Sequence, residues 1–155
     1  MKRLLHQIKM KYLGEQDNNI IALDGQRKYE KSGLTREQAL KIRVMITKAF
    51  DEDKIYRNND MGLDDLAEHI KHNRYIVSQV INTYFSKNFY SFLSEYRIKE
   101  AKRLLASNPN LSVKAIMYEV GFNSKNSFYT AFKKSTGISP NGYRNASFKH
   151  GMYMA

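Results

Sequence analysis

The chain repeats itself at an interval of about fifty residues, and this repeat constrains its fold more than any other feature. One copy reads Leu63-Asp64-Asp65-Leu66-Ala67-Glu68-His69-Ile70, then a short turn, then a second amphipathic stretch from Asn73 to Tyr84. The other reads Val113-Lys114-Ala115-Ile116-Met117-Tyr118-Glu119-Val120, then Gly121-Phe122-Asn123, then Ser124 to Ser135. The first stretches align at an offset of 50 and the second at 51, so the second turn is one residue longer. Apolar residues recur at helical spacing in all four stretches, so each copy is expected to be helix, short turn, helix.

The repeats predict one further helix between them and others around them. Thr35-Arg36-Glu37-Gln38 has the spacing of a capping box. Leu40, Ile42, Val44, Met45, Ile46, Ala49 and Phe50 then carry a helix to about Phe50. Residues 51–61 are charged and asparagine-rich, which predicts a loop. Asn88 suits an N-cap, and Phe89, Phe92, Leu93, Tyr96, Ala101, Leu104 and Leu105 mark a long helix to about Ser107. Asn108-Pro109-Asn110 stops it. Thr136-Gly137 ends the last repeat helix, and Ser139-Pro140 opens one more. Residues 1–34 are expected to be a tail or linker, with Leu4, Leu5, Ile8 and Tyr12 spaced for a short amphipathic helix. Residues 146–155 are expected to be a frayed C-terminal tail. No strand-like alternation persists, so the expected fold is all-α.

The net charge of +11 is unevenly placed. Residues 1–34 carry seven Lys/Arg against four Asp/Glu, residues 35–84 eight of each, and residues 85–155 eleven against three. A basic C-terminal half points to a polyanion such as nucleic acid or an anionic membrane surface. There is no cysteine, which excludes disulfides and thiol chemistry. No stretch approaches the ~18 apolar residues of a membrane span. Met1-Lys2-Arg3-Leu4-Leu5 starts like a signal peptide but lacks an apolar stretch behind it. The expected location is therefore the cytoplasm, on the nucleoid.

Helical geometry, at about 100° per residue, divides each second helix into two faces. In the later copy Phe128, Ala131, Phe132 and Ser135 share one face, and Asn126, Thr130 and Lys133 the opposite one, flanked by Tyr129. In the earlier copy Val77, Val80, Ile81 and Tyr84 face inward, and Tyr75, Gln79 and Asn82 outward, flanked by Ser78. Asn and Gln amides pair bidentately with adenine, and Ser and Thr bond several base edges, so these outer faces suit a major groove. Arg74, Lys125, Lys133 and Lys134, at the helix ends, are placed for phosphates. A stiff linking helix that set the two second helices ~34 Å apart would let one chain cover two turns of groove.

The sequence resembles the DNA-binding domain of the AraC/XylS family of bacterial transcription regulators. The resemblance covers about residues 35–145. Its most specific part runs from Gly121-Phe122-Asn123-Ser124-Lys125-Asn126-Ser127-Phe128 through Phe132-Lys133-Lys134-Ser135-Thr136-Gly137-Ile138-Ser139-Pro140 to Tyr143-Arg144. Tyr96-Arg97-Ile98-Lys99-Glu100-Ala101-Lys102-Arg103-Leu104-Leu105 is similar to the family's linking helix. The resemblance implies seven helices, promoter binding, and activation through contact with RNA polymerase. It places base contacts at Tyr75, Ser78, Gln79, Asn126, Ser127 and Thr130. Phosphate contacts fall to Arg74, Asn82, Lys125, Tyr129, Lys133 and Lys134. The chain departs from the family at Met117, where alanine is common, and at Lys71-His72, where glycine is common. Gln79 and Thr130 stand where many relatives have arginine, so base preferences do not transfer.

Tyr29-Glu30-Lys31-Ser32-Gly33-Leu34 is similar to the segment that leads into this domain in members with a membrane-embedded or ligand-sensing module. The chain then reads either as a naturally short regulator or as the cytoplasmic output part of a larger sensor. A different reading is an adaptor with the same fold and only non-specific DNA binding. No cofactor, small-molecule site, catalytic arrangement or oligomeric state is indicated. His69 and His72 lack a third metal ligand. Asp64-Asp65 favour a helix start through its dipole, and Asp51-Glu52-Asp53 reads as a solvated loop. Phe89, Phe92, Phe128 and Phe132 sit at core spacing rather than on a base-stacking platform.

Overall fold

Residues 33–153 are described by the computed structural model, so the expected amphipathic helix near Leu4–Tyr12 lies outside the described residues. Among them are seven α-helices and no strand: α1 (Arg36–Asp51), α2 (Leu63–His69), α3 (Arg74–Phe85), α4 (Phe89–Ser107), α5 (Val113–Glu119), α6 (Lys125–Thr136) and α7 (Pro140–Tyr153). A single 3-10 turn, Ile55–Arg57, lies between α1 and α2. The all-α, seven-helix expectation is met.

The helix starts follow from their caps. The Thr35 hydroxyl accepts from the Gln38 N–H at 3.2 Å, and the Thr35 N–H donates back to Gln38 Oε1 at 2.9 Å. The capping box read from sequence is thus closed in both directions. At α2 the Gly62 N–H donates to Asp65 Oδ2 at 2.7 Å, so an acid in the first turn satisfies a donor the helix leaves unpaired. Asn73, Ser112 and Ser124 cap α3, α5 and α6 through side-chain oxygens. Ser139 does the same for α7, accepting from the Gly142 N–H at 3.1 Å. No proline follows Pro140 to stop α7, and it runs on to Tyr153 where a frayed end was expected.

The chain divides into two compact units. The first takes residues up to 53 and 62–89. Its α1 and α2 both pack on α3. Ala39, Ile42, Ile46, Ala49 and Phe50 of α1 are buried, as are Leu66 and Ala67 of α2 and Val77, Val80 and Ile81 of α3. Leu40 and Val44 are only half-buried and Met45 is exposed, so the inner face of α1 is rotated toward Ala39 relative to the sequence pattern.

The second unit takes residues 54–61 and everything from Tyr90 onward. Its core joins Ile98, Ala101, Leu104 and Leu105 of α4 to Ile116 and Met117 of α5, Val120 and Phe122 of the turn, and Phe128 and Phe132 of α6. The rings of Phe122, Phe128 and Phe132 follow one another at 5.3 and 5.7 Å, and Tyr143 of α7 meets Phe132 edge-on at 5.6 Å. Burying each such ring contributes roughly 1.5–3 kcal/mol, which explains why the aromatic positions of the later repeat belong to the core. Met117 is 3% exposed within this core, so the larger residue found where alanine is common is accommodated by packing.

Sequence pattern did not place residues 54–61. They were expected to be a loop with no stated partner, and they belong to the second unit. Tyr56 and Met61 are buried. The signal for this was the isolated Ile55-Tyr56 pair, too short for any periodicity to register.

Candidate nucleic-acid interface

The two turns of the repeat are built alike. In the first, the Ile70, Lys71 and His72 N–H groups donate to the Leu66, Glu68 and Ala67 carbonyls. In the second, Val120, Gly121 and Phe122 donate to Ile116, Tyr118 and Met117. Each turn passes through one left-handed residue, Lys71 at φ 55° and Gly121 at φ 96°. The helices after the turns also end alike, in left-handed Ser86 and Gly137. Both units are therefore helix-turn-helix motifs at the level of backbone hydrogen bonds, not only of sequence spacing.

On α3 the predicted outer residues lie together. Tyr75, Ser78, Gln79 and Asn82, with Thr83, line one open depression. Tyr75 is 76% exposed at the start of the helix. Ser78 and Gln79 are half-buried, while Asn82 is exposed. Arg74 does not stand free. Its Nη1 is 3.1 Å from Asp64 Oδ2, and its guanidinium lies 5.8 Å from the Tyr75 ring.

On α6, Lys125, Asn126, Ser127, Thr130, Lys133 and Lys134 are all exposed. The Ser127 N–H is held by the Ser124 hydroxyl. Ser135, assigned to the inner face from its spacing, is exposed as well. Tyr129 is half-buried, with its ring edge-on to Phe128 at 5.8 Å and the Lys125 ammonium 5.4 Å from its centroid. Its ring thus belongs as much to the rim of the core as to the outer face. Neither α3 nor α6 contains an acidic residue. Every exposed side chain on the two helices is consequently neutral or cationic, which suits a partner bearing phosphates.

Three features lay beyond the sequence reading. One is the Asp64–Arg74 pair, two exposed residues brought together by the first turn. A second is His69, whose Nε2 is 2.9 Å from Asp53 Oδ2, so the histidine considered as a metal ligand has a carboxylate partner. Among the described residues no cluster of three His, Cys, Asp or Glu is placed to hold a metal. The third is a charged network around α4. Glu100 accepts from Arg103 Nε and Nη2, both at 2.8 Å, and from Arg57 Nη2 at 3.1 Å. The Arg103 hydrogen bonds, aided by Arg57, hold the Glu100 carboxyl below its ordinary pKa against the opposing effect of burial.

Two acid-free recognition-type helices, each behind a helix-turn-helix backbone, define a paired helix-turn-helix protein. A family profile described as "Helix-turn-helix domain" matches residues 66–146. The chain belongs to the AraC-type helix-turn-helix family of transcription regulators. It is 33% identical over 86 residues to an uncharacterized HTH-type transcriptional regulator in the cgkA 5′ region of Pseudoalteromonas carrageenovora, covering 56% of this chain and 50% of that one. It is 32% identical over 95 residues to the melibiose operon regulatory protein of Escherichia coli K12, covering 60% of this chain and 31% of that one. The chain therefore spans half or less of the length of these curated relatives. Among solved structures it is similar to the C-terminal domain of AraT, a response regulator from Geobacillus stearothermophilus. The TM-score there is 0.59 at 30% identity, over 66% of this chain and 84% of that one.

Proposed function

We propose that this chain is a sequence-specific double-stranded DNA-binding regulator of bacterial promoters. In this reading α3 and α6 each enter the major groove of one duplex. The observation that carries it is the matched pair of outward faces, rich in amides and hydroxyls and free of acids, on helices whose opposite faces bury Val77, Val80 and Ile81 in one core and Phe128 and Phe132 in the other. Tyr75, Ser78 and Gln79 read base edges from the first unit, and Asn126, Ser127 and Thr130 from the second. Arg74, Asn82, Lys125, Tyr129, Lys133 and Lys134 hold phosphates and set the register without reading sequence. The relatives named above are regulators by their own names, which supports the assignment.

The output proposed is activation through contact with RNA polymerase, in response to a signal sensed elsewhere, either in a longer chain or by a separate partner. The site of action proposed is the cytoplasm. Among the described residues no helix is long and apolar enough to cross a membrane.

The test is a titration against a pool of random genomic duplex fragments at several salt concentrations. The expected result is enrichment of a recurrent sequence, with log affinity falling by about 0.9 per neutralised phosphate for each log unit of salt. Salt-sensitive binding with no enriched sequence would assign the chain to a non-specific adaptor role instead. Failure to bind even at low salt would overturn the reading.

A further inference from the structure

Residues 54–61 meet the turn of the second helix-turn-helix at three points, two of them bonds and one a close approach. Arg57 Nη1 lies 3.0 Å from Glu119 Oε1, at the end of α5. The Tyr56 carbonyl lies so close to Gly121 that a Cβ there would stand 2.4 Å from its oxygen. Asn59 Nδ2 donates to Asn123 Oδ1 at 2.7 Å. Behind them Arg97, only 8% exposed, donates from Nε to the Tyr56 carbonyl and from Nη2 to the Asn58 carbonyl, both at 2.8 Å. One planar guanidinium thus fixes two carbonyls of the segment, and its cation faces the Phe122 ring at 5.5 Å. The turn of the first unit contrasts with this, since Lys71 and His72 are both exposed. Asn123 is also the residue by which the second turn is longer than the first.

We propose that residues 54–61 are a positioning segment for the second recognition helix, with Asn59 and Arg97 as its positioning residues. The turn at 120–123 is the joint between α5 and α6. Whatever fixes this joint sets the angle at which Asn126, Ser127 and Thr130 are presented. The selectivity of the second unit is therefore set partly by residues outside its own helix-turn-helix. This rests on the DNA-binding reading above for its consequence, but not for the bracing itself.

The Asn59–Asn123 bond is exposed to water, so its net contribution to folding is small. Stability and recognition can therefore be separated. The experiment uses the full chain, its Asn59→Ala variant and its Arg97→Lys variant, since lysine cannot span two carbonyls with one fork. Two quantities are read. The first, without DNA, is amide hydrogen exchange at Gly121 and Phe122, compared with Lys71 and His72. The second is selection from the duplex pool, with the base pairs of each unit identified by Thr130→Ala and Gln79→Ala. Asn59→Ala is expected to lower the unfolding temperature by no more than a few degrees, so the protein stays folded through both measurements. It should speed exchange at Gly121 and Phe122 by about fivefold, and relax selection by about fivefold at the second unit's base pairs only, as expected for one lost hydrogen bond. Arg97→Lys is expected to exceed both effects, and selection is compared at equal folded fraction. Unchanged exchange at Gly121 and Phe122 in both variants overturns the proposal. So does faster exchange with selection unaltered. If the parent enriches no sequence, the DNA-binding reading fails, and the exchange data alone then decide whether the segment braces the turn.

Discussion

Lys71 and Gly121 hold the same left-handed place in their respective turns, yet they are not interchangeable. A Cβ at Gly121 would lie 2.4 Å from the Tyr56 carbonyl and 2.9 Å from Arg97 Nε, whereas Lys71 carries a full side chain into solvent. The glycine is thus required by a close approach as well as by its φ of 96°. A left-handed φ alone costs a non-glycine residue roughly 1–2 kcal/mol. Gly121→Ala adds a collision with backbone and is expected to destabilise by about 2–4 kcal/mol. Lys71→Gly relieves backbone strain but frees the unfolded chain, and is expected to lie within about 1 kcal/mol of the parent. Urea unfolding of both variants checks this. A loss at Gly121→Ala no larger than the roughly 1–2 kcal/mol of the left-handed φ alone would show that the turn conformation, not the approach of Tyr56, selects the glycine.

The Asp64–Arg74 pair makes a second prediction. Both side chains are about half exposed or more, at 71% and 49%, so the pair is worth no more than about 1 kcal/mol. A phosphate can displace the carboxylate at that small cost. Asp64→Asn removes both the competitor and a negative charge beside the proposed DNA face. DNA affinity is expected to rise by about two- to fivefold for all sequences alike, with little change in thermal stability. Fluorescence anisotropy with selected and scrambled duplexes measures it. A gain confined to the selected duplex would mean that Arg74 reads bases instead.

Most of the fold was legible because helices announce themselves. Thr35 and Gln38, Ser139 and Pro140, and the apolar stripe Phe128–Phe132 act through neighbours three or four residues away, a distance that sequence pattern resolves. The outer faces of α3 and α6 were legible for the same reason, since knowing the buried face of a helix locates the exposed one. What failed was non-local. The contacts of Tyr56 and Asn58 with Arg97, and of Asn59 with Asn123, join residues that are far apart in sequence. They run through backbone carbonyls and short amides, which carry no hydrophobic signature. Ser135 was misplaced because an idealised helical wheel does not show where a neighbouring helix ends.

Glu100 ties acid stability to the network around α4. Its folded pKa is depressed below the ordinary 4.5, first by Arg103 and then by Arg57. A depressed carboxyl contributes stability at pH values above its unfolded pKa. That contribution fades as pH falls through the lower folded value. The parent is therefore expected to lose stability progressively below about pH 4.5. Glu100→Gln is expected to cost about 1–2 kcal/mol at neutral pH, because a charged acceptor of three hydrogen bonds is lost. It is also expected to show a shallower decline in acid. Thermal unfolding of both proteins from pH 7 to pH 3 checks this. Parallel curves would place the acid sensitivity elsewhere.

The assignment of roles on the two outer faces makes the last prediction. Gln79 has an amide that can pair bidentately with adenine, and Thr130 has a single hydroxyl. Lys133, in the last turn of α6, offers only a point charge. Gln79→Ala is therefore expected to relax selection at one position of the site by about 1–3 kcal/mol. Thr130→Ala should act at a different position and by less, because it removes one bond rather than two. Lys133→Ala should weaken every sequence equally and lower the salt slope by about one phosphate's worth. Selection from a randomised duplex pool distinguishes these outcomes in a single experiment. If Gln79→Ala and Thr130→Ala both select as the parent does, the faces assigned to DNA are wrong. If Lys133→Ala changes the selected sequence, α6 lies in the groove by a different edge from the one its exposed residues define.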